Sequence, residues 1–589
     1  MSIRPHRAIP GSQHLNLASL LIYVLSWAAL GIATAQPQGA TIDDERASCA
    51  VYGQAKYDVL IYGATPAGLA AAIQTKRMKK TVAIVSPSKH VGGLTASGLG
   101  WTDSKDGNAI GGIAREFYGR VYKHYKSDSA WSKESRAQYM KKQATAQPGP
   151  TIDDGKQVQW TFEPHVAERI FEDWIKDLDI AVFRNDPLDR SADGVKKKDG
   201  RIVSFKTASG RVYDASMFID ASYEGDLMAA AGIDYRIGRE SQAEFSESLA
   251  GIRIDPKDGY LGMDPYVQKG DPKSGLIKGI DRVIAAADVH KMNGTADTFR
   301  LQSFNYRLCL TQQTDSRIAF SKPKDYDAAS YEILLRYIES GYHDKFFTKN
   351  PMPNGKTDSN SNGHVSTDLL GGNYDAQRKT NYIEQDYKQR AEIVQRHKTY
   401  TQGFFWTLAN HPRVPERFRK SASAWGYAKD EFGSNEHWPY EIYIREARRM
   451  KGRYTMTQAD VQSPKKPVQD SSIGLGSYTL DVHEAERVVV SNKVHNEGLI
   501  HVPISRSFPI PLGSVVTPPN IATNFLNPVT MSSTHVAFAS IRMEPTYMIM
   551  GQSAATAAVL AIEQCAKIQD VDRQKLDARL REDKQILAV

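Results

Sequence analysis

Cysteine is nearly absent. The 589-residue chain has three, Cys49, Cys309 and Cys565. They allow one disulfide with a thiol left over, so a large core and not a set of cross-links must hold the fold. No close Cys pair and no His/Cys cluster marks a zinc site, and no metal is expected. Lys and Arg exceed Asp and Glu by eight charges, a mild surplus over this length. No basic run stands beside clustered aromatics, which argues against nucleic acid as a partner. The longest basic stretch, "VKKKDGR", reads as a solvated turn. A second glycine-rich dinucleotide turn is missing. So is any spanning apolar run beyond the N-terminus, and no internal repeat or low-complexity segment is found.

That N-terminal run is "LASLLIYVLSWAALGIATA", preceded by Arg4, His6 and Arg7 and ending in Ala33-Thr34-Ala35. A positive start, an apolar middle and a small-x-small exit make residues 1–35 a secretory signal cut before Gln36. Retention as a membrane anchor is the alternative. The expectation is a secreted protein with no membrane contact after cleavage. The single sequon Asn293-Gly294-Thr295 fits a glycoprotein of that compartment.

The composition, 41% hydrophobic and 24% charged, supports an ample core. The first firm element is "YDVLIYG", a continuous apolar run as in a buried parallel strand. "PAGLAAAIQTKRMKK" reads as a helix and "TVAIVS" as a second buried strand. This βαβ unit frames the turn "GATPAG". Gly63 permits the tight turn and Gly68 lets helix pack on strand, while Thr65 replaces the middle glycine. Pro66 suits a first helical turn, because its missing N–H has no partner there anyway. The helix N-terminus still offers N–H groups and a positive dipole end to a phosphate. Ser86 stands where an acidic ribose ligand is usual. Its hydroxyl can still bond, more weakly than a carboxylate.

Further along, "HVGGLTASGLGWTD" follows the second strand, and the adjacent Gly92 and Gly93 suit backbone lying close against a bulky ligand. "RIVSFKTASGRVYDASMFIDAS" reads as a hairpin feeding a buried strand that exits at "FIDASYEGDL". Residues 236–470 form a mixed α+β segment with a polar loop at "PNGKTDSNSNGH". The segment "YIREARRM" reads as a helix that puts Arg445 on one face with Arg448 and Arg449. "NFLNPVT" resumes a buried strand, and "PTYMIMGQSAATAAVLAIEQC" is a long small-residue helix.

As a set, "GATPAG", "GGLTASGLGWTD", "IGGIAREFY", "YIREARRM", "GLGSYTLDVHEAERV", "STHVAFASIRMEP" and "GQSAATAA" resemble the FAD-dependent oxidoreductases of the glutathione-reductase-type fold. The resemblance covers roughly residues 56–565. It points to a subfamily in which some members carry a xanthan-lyase-like label. It implies an α/β architecture: a discontinuous Rossmann-like FAD-binding domain, residues 50–235 and 471–589, with an inserted substrate or cap domain at 236–470. Carried over by motif, Gly63, Ala64, Pro66, Ala67 and Gly68 would bind pyrophosphate. Gly92, Gly93, Leu94 and Thr95 would run beneath pyrophosphate and ribityl chain, with Ser86 at the ribose. Trp101, Thr102 and Asp103 would approach the flavin. Arg542, Met543 and Glu544 would set the last helix N-terminus at the flavin edge. Residues 552–558 read as a packing face against the first helix.

Flavin oxidation of a substrate also needs a group to take a proton, and histidine is the usual choice. The catalytic candidates are His535, His483, Arg445 and Arg542; an arginine of "YIREARRM" could clamp a substrate carboxylate, or these arginines could form salt bridges with Glu441 and Glu446. His90, beside Gly92, is a candidate for covalent flavin attachment. Tyr440, His437 and Trp438 are pocket-lining candidates. The implied activity is transfer of hydride from a small organic substrate, such as a sugar derivative or a secondary-metabolite intermediate, with dioxygen or a quinone as electron acceptor. The alternatives are a polysaccharide lyase-like protein, or a non-catalytic carbohydrate-binding protein on a flavoprotein scaffold.

Overall fold

Six residues, Tyr57–Tyr62, form strand β1, and the last four are fully buried. A strand with no polar side needs cover on both faces, which is what a parallel sheet between helices supplies. Its neighbours follow from that demand. In the computed structural model, which describes residues 55–255, 261–342, 345–375, 379–463 and 472–588, helix α1 (Pro66–Arg77) leads to β2 (Val82–Val85). The signal segment 1–35 and Cys49 lie outside the described residues. Helices α2 (Gly112–Tyr125) and α3 (Pro164–Asp177) precede β3 (Ala181–Phe183). A meander of β4 (Val195–Lys198), β5 (Arg201–Lys206) and β6 (Val212–Asp220) then returns to the centre.

The sheet order is β3-β2-β1-β6-β5-β4. β1 runs parallel to both β2 and β6, with Tyr62 level with Val85 and Asp220. The first half of β6 pairs antiparallel with β5. Its last half pairs parallel with β7 (Phe525–Leu526), a strand from the far end of the chain. Helix α4 (Tyr387–Asn410) lies in the intervening segment. Two helices close the chain's return, α5 (His535–Ile541) and α6 (Glu544–Glu563). Residues Glu544–Ile562 of α6 are all buried, as a helix apolar on every side requires. The Rossmann-like α/β architecture expected from the sequence is therefore present.

A second core collects residues from Leu261 to Val494. Its sheet has the order 317–319, 426–428, 308–311, 356–359, 350–352, all antiparallel. Strand Glu486–Val490 pairs with Arg282–Ile284, so chain beyond residue 470 also joins this region. Cys309 is buried and free, and Cys565 is disulfide-bonded. The sequon asparagine, Asn293, has its amide paired both ways with the Ile254 backbone. Among the described residues no helix is long and apolar enough to cross a membrane.

Three local expectations are overturned. "VKKK" is edge strand β4 and not a turn, although its three lysines are exposed, as expected of a solvated stretch. The polar stretch at "PNGKTDSNSNGH" contains a fully buried strand, Lys356–Ser359. Lys356 Nζ reaches Glu163 and Glu431, each at 2.7 Å, and Asp430 at 2.8 Å, while Asp358 takes both arms of Arg307. Paired charges let a polar sequence go inside. Finally, "YIREARRM" is not a helix: residues 442–450 are buried and irregular, ending in a short strand at Arg449–Met450. Its arginines diverge to separate carboxylates. Arg445 reaches Asp368 (3.0 Å), Arg448 Asp226 (2.9 Å), and Arg449 Glu240 (2.8 Å). A helix would aim Arg445 and Arg449 to one side. The buried partners require different directions.

Candidate functional site: a nucleotide cleft and an arginine–tyrosine cluster

At the end of β1 the backbone turns through Gly63 at φ +105°, and a Cβ there would sit 2.8 Å from the Ala221 carbonyl carbon. Gly68 is tighter: a Cβ would come 2.1 Å from the Gly63 oxygen. Thr65, in the place of the middle glycine, is the N-cap of α1. Its hydroxyl accepts from Gly68 N (3.3 Å) and donates to Ala221 O (2.7 Å), stitching the helix start to the exit of β6. Among the described residues the amides of Ala64, Thr65 and Ala67 have no hydrogen-bond partner, although all three residues are buried. Orphaned amides at a helix start, with its positive dipole end, fit phosphate oxygens.

This turn forms one wall of an open cleft of about 410 Å³ that also takes in Ser86, Ser88, His90, Gly93, Tyr223 and Glu441. Ser86 directly follows β2. Its N–H donates to Phe183 O (2.8 Å) and its hydroxyl accepts from Ser88 N (3.2 Å). The Ser88 hydroxyl donates to Glu441, whose carboxyl burial pushes up to about 7. His90 stacks on Tyr440, with centroids 3.4 Å apart and planes 6° from parallel, and its Nδ1 lies 2.6 Å from Glu168. Trp438 lies in the second core, and His437 Nδ1 pairs with Glu431 O (3.1 Å).

Gly92 and Gly93 carry the chain through φ +92° and +47°. A Cβ on Gly93 would meet the Tyr223 hydroxyl at 2.2 Å. That hydroxyl accepts from Leu94 N (3.0 Å) and donates to Glu544 Oε1 (2.7 Å), while Thr95 Oγ1 donates to Glu544 Oε2 (3.4 Å). Met543 is the extended N-cap of α6, and Glu544 is its first residue. Burial pushes the Glu544 carboxyl up to about 8. Segments 92–95 and 543–544, far apart in the chain, thus meet through Tyr223.

Three of the four catalytic candidates gather nearby. Arg542 Nη1 donates to the Tyr443 hydroxyl (2.6 Å) and Nη2 to Asp481 O (2.7 Å). Asp368 joins the other two: Arg445 donates to Oδ1 (3.0 Å), and His483 Nδ1 lies 2.7 Å from Oδ2. The Tyr443 ring is faced by the guanidinium carbons of Arg307, Arg445 and Arg542 at 5.9, 5.1 and 5.5 Å from its centroid. The same ring packs on Leu94 and Leu99 of the glycine-rich loop. Asp103, 3.6 Å from Arg307, is pushed up to about 6 by burial.

His535 stands apart. It is buried, its N–H donates to Glu240 (2.9 Å), and its Nδ1 pairs with Glu446 (2.7 Å). Against the cost of burial, His535 and Arg449 hold Glu446 down to about 2. Gln302 connects the two histidines, donating to Glu446 (3.0 Å) and accepting from His483 N (3.2 Å). Residues 552–558 are buried within α6, and Gln552 accepts from Ile113 N on α2 (2.8 Å). Sequence reasoning missed Tyr443, Asp368 and Tyr223, and read Glu441 as a partner for arginines and not as a cleft residue. Tyr443 and Glu441 flank residues that were noticed, but no spacing marks them. Asp368 sits in a stretch without pattern.

The parallel sheet, the orphaned amides and the close-packed glycine loop define a dinucleotide-binding protein of the flavoprotein kind. The chain belongs to the FAD-dependent oxidoreductase family, whose pattern it matches over residues 58–580. FAD is the cofactor that this membership gives it. No curated protein matches it. Among solved structures it is similar to an L-amino acid deaminase from Proteus vulgaris at 12% identity, over 31% of this chain and 52% of that one, with a TM-score of 0.22. A flavin-containing monooxygenase from Stenotrophomonas maltophilia aligns at 13% identity over 32% and 43%, with a TM-score of 0.17. A T. acidophilum thioredoxin reductase aligns at 18% over 28% and 34%, with a TM-score of 0.16. Each alignment spans about half of the other chain or less.

Proposed function

We propose that the chain is a secreted oxidase or dehydrogenase. It takes hydride from a small organic substrate, such as a sugar derivative or an intermediate of secondary metabolism, and passes electrons on to dioxygen or a quinone. The observation that carries this reading is the Asp368–His483 pair beside Tyr443. His483 Nδ1 lies 2.7 Å from Asp368 Oδ2, and a proton shared there leaves Nε2 as the ring nitrogen turned to other partners. The nearest carboxylate to that nitrogen is Asp481, at 3.8 Å. The His483 side chain is 17% exposed, whereas Arg445 is fully enclosed, so His483 can exchange a proton with solvent. Arg445 holds the far oxygen of Asp368 and keeps that carboxylate charged.

In this reading His483 Nε2 takes the substrate hydroxyl proton. The Tyr443 oxygen already accepts from Arg542, and its own hydrogen has no acceptor among the described residues, so it is available to donate to the substrate oxygen. When bound, FAD supplies the two-electron acceptor. The amides of Ala64, Thr65 and Ala67 hold its phosphates, and Leu94 and Thr95 line its path towards α6.

The test is anaerobic mixing of the holoenzyme with a panel of alcohols and sugar derivatives. Loss of oxidised-flavin absorbance with stoichiometric product is expected, and His483→Asn should slow it by about 10²–10⁴-fold. Product released with the flavin still oxidised would overturn the proposal in favour of elimination chemistry.

A further inference from the structure

The βαβ unit lacks the carboxylate that ordinarily receives the adenosine ribose, because Ser86 directly follows β2. We propose that Glu441, 353 residues away from Ser88 in sequence, supplies that carboxylate from the other side of the cleft. The inference rests on FAD being the cofactor.

Two acidic side chains line the cleft, Glu441 and Glu224. Glu224 is engaged elsewhere: its Oε1 accepts from the Tyr382 hydroxyl (3.0 Å) and Arg390 lies close to it. Glu441 accepts from Ser88 through Oε1, and its Oε2 has no partner among the described residues. Ser88 is two residues beyond Ser86, the position where a ribose ligand belongs, so Ser88 holds the Glu441 carboxyl at that end of the cleft. The neighbouring residue fixes the segment. Tyr440 lies flat against His90, which lines the same cleft, so residues 440–441 are clamped onto the loop after β2.

Glu441 is half-buried in the cleft wall, and its one protein donor leaves most of the carboxyl's accepting capacity unused. Two vicinal hydroxyls would satisfy it, since each donates a hydrogen bond that strengthens when the acceptor is charged. Ser86 cannot do the same alone. Its hydroxyl oxygen already accepts from Ser88 N. Thus the acid missing from the sequence position is present in space, carried by a segment that also bears Tyr443 and Arg445.

The test compares flavin affinities of the wild-type protein and Glu441→Gln, read by the fluorescence of flavin released on dilution of the holoprotein. FAD should bind about 10- to 100-fold more weakly to the variant, the loss expected for one charge-assisted hydrogen bond. FMN, which has no adenosine ribose, should bind both proteins equally. An FAD analogue lacking the adenosine 2′- and 3′-hydroxyls should lose a similar factor on the wild-type protein alone. This last arm needs no substitution and stands even if the variant misfolds. An unchanged FAD affinity, an equal loss for FMN and FAD, or a wild-type protein indifferent to the two hydroxyls would each overturn the assignment. All are binding measurements, separate from whether any substrate is oxidised.

Discussion

Gly551 of α6 lies on the backbone of Ala67 in α1, so close that a Cβ would come 2.1 Å from the Ala67 carbonyl oxygen. Two effects oppose each other in Gly551→Ala. Alanine improves helix propensity by about 1 kcal/mol. Forcing a methyl into rigid backbone costs about 1–3 kcal/mol and often more. The clash wins because the obstructing atom cannot rotate away. We expect a lower denaturant midpoint and reduced FAD retention. A midpoint at or above that of the wild-type protein would show that the helices can separate freely.

Asp226 is the hub of a buried ion cluster. It takes Arg390 through two bonds (2.7 and 2.9 Å) and Arg448 through one (2.9 Å), with Arg190 at 3.5 Å. Asp226→Ala strands buried guanidinium groups without a counter-charge. Breaking such a pair from one side costs about 3–5 kcal/mol. Chemical denaturation measures it, and a loss below about 1 kcal/mol would mean that water enters to solvate the arginines.

Glu544 links stability to pH. Its carboxyl rises from 4.5 to about 8 on burial. Between those values the folded chain keeps a proton that the unfolded chain has released. Stability is therefore full below the unfolded value and falls as pH rises towards 8, at about 1.4 kcal/mol per pH unit. Glu544→Gln should flatten the decline of the thermal midpoint between pH 5 and 8. Parallel profiles for the two proteins would place the titration elsewhere.

Tyr443→Phe removes a hydroxyl and leaves the ring against Leu94 and Leu99. FAD content should stay near wild-type. Anaerobic flavin reduction by substrate should slow by about 10²-fold, the lower range for a positioned proton donor. An unchanged reduction rate would remove Tyr443 from the chemistry.

The nucleotide-binding half was legible because its signals are local. A continuous apolar strand, a glycine turn and an alanine-rich helix each declare themselves within a few residues, and the structure forms them in the expected order. The glycine-rich loop and the start of α6 could also be paired by resemblance, and they meet at Tyr223 and Glu544.

The interior of the second core was not legible, and the reason is charge. Arg445 reads as sharing a helix face with Arg448 and Arg449 because of their three- and four-residue spacing. Their partners Asp368, Asp226 and Glu240 lie 77 to 222 residues away. Arg449 also has the near partner Glu446, at 2.9 Å, but no short-range pattern reveals the distant carboxylates. Lys356 and Asp358 are hidden for the same reason within an apparently polar loop. Glu441, read from sequence as a partner for the nearby arginines, was not seen as a cleft residue because the fingerprint directs attention to the residue after β2, which is only a serine.

Strand β7 and helix α6 come from residues 525–563, yet they complete the sheet and the layer begun at residue 57. During synthesis, then, the alanine face of α1 leaves the ribosome long before its partner exists. Chains emerge at about 5–20 residues per second and fold by domains from the N-terminus. The nascent nucleotide-binding half must wait tens of seconds with an uncovered apolar surface, and a ribosome that stalls before α6 releases a product unable to close.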